Sequence, residues 1–262
     1  MGHWYTKDGT PMYTIAKAKG DGMRDTTLRD AKKLGLLPSV TTITKALAAP
    51  ALEAWKIRQA LEQAYNAPPI HAETLKDCQS FWMSKAEESG LKRMDFGTKI
   101  HDTIECALST DKEWFDERVE TPTGEIRDLS EFVNPTLELF KDNQWKVVGL
   151  EQVLVGNGYA GKTDVIYIGQ DEYGIIDFKT TKDAMKPFVP ASYKMQIAMY
   201  HVAEHGGIDD KAAGYNIFIS TEENIGSCRA VRYDAEELRK AWKAAQGLIA
   251  AWQYENDYYP EA

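Results

Sequence analysis

Asp177 and Lys179 stand two residues apart in the stretch IIDFKTT. In a β-strand such residues face the same side, so a carboxylate and an ammonium project together while Ile176 and Phe178 point into the opposite layer. An isolated D-x-K of this kind also suits an ion pair at a sheet edge. The preceding apolar stretch, AGKTDVIYI, carries a second acid, Asp164, and the two stretches read as a hairpin that brings Asp164 beside Asp177. Two carboxylates held close repel each other, and a cation relieves the repulsion; hard oxygens favour Mg²⁺ or Mn²⁺. Gly161, just before Asp164, permits close approach of the backbone or serves a turn. Gly97, His101 and Glu105 share one helical face in FGTKIHDTIE, and Gln196 and Tyr200 share another in KMQIAMY. Each also fits ordinary packing.

The elements that would position these groups follow from periodicity. WKVVGLEQVLVG, AGKTDVIYIG and GIIDFKTT are short, β-branched and separated by turn residues, which predicts three strands in a meander. ASYKMQIAMYHVAEHG predicts a helix ending at Gly206-Gly207, AGYNIFIST and CRAVRYD two strands, and AEELRKAWKAAQGLIAAWQYE a closing helix. The expected fold is α/β (α+β), a mixed sheet flanked by helices. Residues 1–90 read as an elaboration: a β-ribbon around Asp8-Gly9, a polar loop KGDGMRDT, and helices entered near Ser39 and stopped near Pro50. The helical period resumes in ALEAWKIRQALEQAY, and 72–109 reads as two helices broken near Gly90. The whole chain, 1–262, is expected to be a single domain, with 91–262 as its core.

Composition narrows the function classes. A formal charge of −9 argues against a general basic coating for nucleic acid, so contact with DNA would need local cations and bound metal. The three cysteines, Cys78, Cys106 and Cys228, are too few for a four-cysteine iron–sulfur cluster, and no cluster is expected. No apolar run approaches the roughly 18 residues of a membrane span. MGHWYTKDGT shows no secretory signal, which gives the cytoplasm as the expected location and no membrane as partner. Lys85, Lys92, Arg93 and Lys99 with Trp82 suit a single-strand channel or a solvated helix face equally well. Lys182, Lys186 and Lys194 form a second basic group. Trp242 and Trp252 read as core or interface residues.

The order of motifs is more specific than any one of them. G-x-x-x-H on a helix, G-x-x-D and I-I-D-x-K on adjacent strands, then Q-x-x-x-Y on the next helix resembles the RecB-like branch of the PD-(D/E)xK nuclease superfamily over Gly97 to Tyr200. The N-terminal LPSVTTI looks like the phage-encoded exonucleases of that branch. The resemblance implies a PD-(D/E)xK core, dependence on one or two Mg²⁺ or Mn²⁺ ions, and phosphodiester hydrolysis. It implies Asp164 and Asp177 as carboxylate ligands, the Phe178 carbonyl and His101 as further ligands, and Lys179 beside the attacking water as base or orienting group. Glu151 occupies a place where related nucleases often carry an acid. Gln196 and Tyr200 would order the site and meet the nucleic-acid strand, with Thr180, Lys92, Arg93 and Lys99 as further contacts; Thr181 also offers a hydroxyl. The implied activity is a DNA exonuclease of phage recombination, replication or processing, acting in host cytoplasm with a recombinase or single-strand-binding protein as partner. A structure-specific endonuclease and a non-catalytic DNA-binding or assembly protein are the alternatives.

Overall fold

The computed structural model describes residues 2–47, 50–66, 74–110 and 117–261. The elements run β1 (Trp4–Tyr5), β2 (Thr14–Ala16), β3 (Met23–Asp25), α1 (Leu28–Leu34), β4 (Leu37–Pro38), α2 (Val40–Thr44), α3 (Pro50–Asn66), α4 (Leu75–Thr110), β5 (Arg118–Glu120), β6 (Ile126–Asp128), α5 (Ser130–Asp142), β7 (Lys146–Gly156), β8 (Tyr159–Ile168), β9 (Tyr173–Thr181), α6 (Ala191–His205), β10 (Ala212–Ser220), β11 (Cys228–Tyr233) and α7 (Ala235–Asn256).

Five strands form the central sheet in the order β11-β10-β9-β8-β7. The meander β7-β8-β9 is antiparallel, α6 carries the chain over to a parallel β10, and β11 returns antiparallel. The mixed sheet flanked by helices is therefore as expected. Strand β10, buried along its whole length, is nearly continuous apolar sequence, as a strand covered on both faces requires. One face packs on α6 and α7 through Ile175, Ile197, Leu238 and Trp252, and the other on α4 and α5 through Ile100, Ile104, Phe132, Ile176 and Phe178. Gly206, at φ 75°, ends α6 in the left-handed region, and Asp234 with Glu237 caps the start of α7.

The N-terminal region keeps its expected hairpin and departs from expectation in three other ways. The Asp8-Gly9 hairpin forms, with Met12 N donating to Trp4 O at 2.8 Å and Tyr5 bridging Pro11 antiparallel, and β1 also pairs with β4. The stretch read as a polar loop supplies β3, which pairs with β2. Helix α4 runs unbroken through Gly90, because a single glycine costs a helix only about 1 kcal/mol and strong helix formers flank it. Pro50 opens α3 instead of stopping α2, a place that suits proline because its missing N–H is unneeded in a first turn. Residues 72 and 73, assigned by periodicity to a helix, and Ala48-Ala49 before Pro50 lie outside the described residues. Trp252 is buried against Trp4, with ring centroids 6.1 Å apart, and Trp242 lies against Tyr159, so both tryptophans pack in the core as read. Among the described residues no helix is long and apolar enough to cross a membrane.

Candidate active site

Strand β9 presents Asp177 and Lys179 on the face toward α6. Lys179 Nζ lies 2.6 Å from Asp177 Oδ2, donates to Gln196 Oε1 at 3.4 Å, and sits 4.9 Å from the centroid of the Tyr193 ring. The β8–β9 ladder stops at Val165 opposite Ile176. Asp164 comes next, and its Oδ2 accepts the Phe178 N–H at 2.7 Å. A side chain therefore takes the place of the next ladder bond. At that position His101, from α4 on the opposite face, brings Nδ1 to 3.8 Å from Asp164 Oδ2 and sets its ring edge-on to Phe178 at 5.6 Å. The separation is too long for a hydrogen bond.

Two glycines make this approach feasible. A Cβ on Gly97 would lie 2.8 Å from Thr180 Oγ1, so the helix carrying His101 seats on β9 only without a side chain there. A Cβ on Gly161 would lie 2.8 Å from Tyr200 Cε1, which makes this glycine a packing requirement for the α6 tyrosine rather than a turn residue. Gln196 Nε2 in turn lies 3.4 Å from Tyr200 Oη, so the two side chains of Q-x-x-x-Y do meet.

Burial dominates the electrostatics. It pushes the Asp164 carboxyl well above the usual carboxylate range, and the neighbouring Asp177 pushes the same way. Burial also lowers His101 to about 4, so its imidazole is neutral and offers a lone pair. For Lys179 burial works downward, but Asp177 and Asp164 together outweigh it and hold the ammonium above its ordinary value. Two acids thus face one cation, with a neutral imidazole alongside, a donor set that fits a hard divalent ion. As arranged, no group of three or more His, Cys, Asp or Glu among the described residues is gathered closely enough to hold one. Lys179 and Asn216 both engage Asp177 Oδ2, at 2.6 and 2.9 Å, and an ion would compete with Lys179 for that carboxylate.

Other expected residues stand further from this cluster. Glu151, with φ 49°, lies across from Asp164 by register, between the pairs Leu150–Val165 and Gln152–Thr163, but its carboxylate engages the Lys162 ammonium. The basic residues are matched by acids rather than gathered into a strip. Lys85 and Lys92 pair with Glu88 at 2.9 and 3.9 Å, Arg93 with Glu222 at 3.0 Å, and Lys99 with Glu117 at 2.5 Å. Lys182 pairs with Glu223 at 2.7 Å and Lys194 with Glu237 at 2.6 Å. Arg93 also reaches Ser89 and Gln59, so it braces α4 against α3 and the loop after β10. Trp82 meets Phe81 edge to face at 4.9 Å.

Three side chains at the site carry no recognised motif: Tyr193 under Lys179, and the pair Asn216 and Tyr233. Asn216 lies opposite Asp177 in the parallel β9–β10 register, and Tyr233 Oη donates to its Oδ1 at 2.8 Å. The available signal was a lone amide inside the otherwise apolar run AAGYNIFI.

The PD-(D/E)XK nuclease superfamily profile matches residues 69–261. No curated protein matches the chain. Among solved structures, the crystal structure of SSO0001 matches at 13% identity over 77% of this chain and 86% of the other, with a TM-score of 0.30, too low to bear on the fold.

Proposed function

The chain belongs to the PD-(D/E)XK nuclease superfamily, and we propose that it is a divalent-metal-dependent DNA exonuclease of the RecB-like branch. The observation carrying this reading is the meeting of His101, Asp164, Asp177 and Lys179, drawn from two faces of one sheet, at the point where the β8–β9 ladder stops. His101, Asp164, Asp177 and the Phe178 carbonyl would hold Mg²⁺ or Mn²⁺. Glu151 would join only on leaving Lys162. A bound divalent ion lowers the pKa of water and withdraws charge from the phosphate.

The chain's own groups do the rest. Lys179 would stand beside the attacking water, orienting it and neutralising charge on the phosphate. Gln196 holds Lys179 in place, and Tyr200, a phenol whose ionisation burial opposes, holds Gln196. Thr180, Lys92, Arg93 and Lys99 are proposed strand contacts, the three cations through exchange of their present acidic partners for phosphates. We read 1–262 as one nuclease domain, supported by the Trp4–Trp252 contact between its ends. Phage origin, a cytoplasmic location, a role in recombination, replication or processing, and a recombinase or single-strand-binding partner belong to the same reading and rest on the motif order.

The test is incubation with end-labelled linear DNA and closed circular DNA in Mg²⁺, Mn²⁺ or EDTA, beside Asp177→Ala and Lys179→Ala. Loss of label from linear DNA only, abolished by EDTA and by either substitution, is expected. Cutting of the circle would replace the exonuclease with an endonuclease, and binding without cleavage would replace it with an assembly role.

A further inference from the structure

We infer that Asn216, braced by Tyr233, is a positioning residue that fixes the Asp177 carboxylate for ion binding; this rests on the nuclease reading above. Asn216 is 0% exposed and Tyr233 2%. A buried amide must find partners for both ends, and this one has them: Nδ2 donates to Asp177 Oδ2 at 2.9 Å while Oδ1 accepts from Tyr233 Oη at 2.8 Å. The two ends dictate one orientation. A carboxylate only accepts, so it requires the amide NH₂, and the amide oxygen must then face a donor, which the phenol supplies. With Tyr233 removed, the amide can turn its oxygen toward the carboxylate, where the two repel.

The strut serves Asp177 alone. Asn216 interrupts a strand that is otherwise apolar up to its end, and its remaining contact is a longer one, 3.4 Å, to the Asp177 main-chain carbonyl. Both Lys179 and Asn216 act on Oδ2, and among the described residues no donor falls on Oδ1. When an ion draws Lys179 off, Asn216 still restrains Oδ2, leaving the carboxylate turned the same way. Partners of a metal-ligating side chain set its orientation and typically change ion affinity by about 10- to 100-fold when removed.

The experiment is calorimetric Mn²⁺ titration without DNA, with turnover measured in parallel, on the wild type, Asn216→Ala, Tyr233→Phe, the double variant and Asp177→Asn. Asn216→Ala should bind Mn²⁺ about 10- to 100-fold more weakly. Tyr233→Phe, which keeps the ring and the fold, should bind about 3- to 10-fold more weakly, the loss of one buried hydrogen bond. The double variant should be no weaker than Asn216→Ala, and saturating Mn²⁺ should restore turnover in Tyr233→Phe with an unchanged KM for DNA. Wild-type affinity in Tyr233→Phe, or additive losses in the double variant, would overturn the strut. Undiminished Mn²⁺ binding by Asp177→Asn would instead overturn the nuclease reading, and the strut with it.

Discussion

Asp164 Oδ2 accepts the main-chain N–H of Phe178, 14 residues further on, at 2.7 Å, so a carboxylate completes the sheet where the backbone ladder ends. The acid serves fold and site at once, at a cost. Burial and Asp177 raise its pKa, so the folded state favours its protonated form. Its contribution to stability is present at low pH and lost as pH rises through the raised value. Asp164→Asn keeps an acceptor for Phe178 without the charge. At pH 8 and without ions it should melt a few degrees above wild type by calorimetry, and Mn²⁺ should no longer raise its Tm. A lower Tm in the ion-free variant would contradict this account of the site's electrostatics.

Gly97 and Thr180 set the seating of α4 on β9. Gly97→Ala gains helix propensity of about 1 kcal/mol but drives a methyl against Thr180 Oγ1, and overpacking of this kind costs about 1–3 kcal/mol. The variant should lose stability and, because His101 is one turn away, most of its nuclease activity. Gly97→Ala with Thr180→Ala should regain wild-type stability, which chemical denaturation of both proteins would check.

These relations mark the boundary of what the sequence discloses. Asp177, Lys179, Gln196 and Tyr200 were legible because their spacing matches the period of the element that carries them. The strands β7 to β11 and helices α6 and α7 were legible through turn residues and apolar period. Asn216 and Tyr233 were not, since their meeting with Asp177 depends on a parallel pairing made through the α6 crossover, and no local pattern encodes a partner strand. The hairpin at Asp8-Gly9 was legible from its turn, whereas the second pairing of Trp4 and Tyr5, with the distant Leu37-Pro38, was not. Gly90 reads as a helix break on propensity alone, yet its cost is small within so long a helix. The basic residues were legible as cations, while their acidic partners, Glu117 and Glu222 among them, come from other elements.

Lys179 lies 2.6 Å from Asp177 Oδ2 and would compete there with an incoming ion. Lys179→Met should therefore bind Mn²⁺ at least as tightly as wild type while losing about 100-fold or more in turnover, since charge stabilisation at the phosphate is removed. Titration calorimetry and a cleavage assay on the same preparation separate the two effects. Loss of ion binding together with turnover would make the lysine structural.

Acid should weaken the fold through His201. It is fully buried on α6, and its Nδ1 lies 3.1 Å from Gly207 O. Burial, then the adjacent His205, lowers its pKa to about 4, opposed by hydrogen bonds to the Gly207 and Tyr173 main chain and by Asp209. The folded value lies below the ordinary 6.5, so the stability it confers is present above pH 6.5 and is lost as pH falls toward 4. At pH 5 the loss is about 2 kcal/mol. His101, also lowered to about 4, adds a loss of the same sign. Urea denaturation of wild type and His201→Gln at pH 7 and pH 5 should show a smaller pH effect in the variant. Equal slopes would remove His201 from the acid response.

The central claim is that an imidazole and two carboxylates from three separate elements share one divalent ion. Crystals soaked in Mn²⁺ and measured for anomalous scattering test it most directly. The account predicts a peak bounded by His101, Asp164, Asp177 and the Phe178 carbonyl, with Lys179 displaced from Asp177. A peak elsewhere, or none at millimolar Mn²⁺, would contradict it.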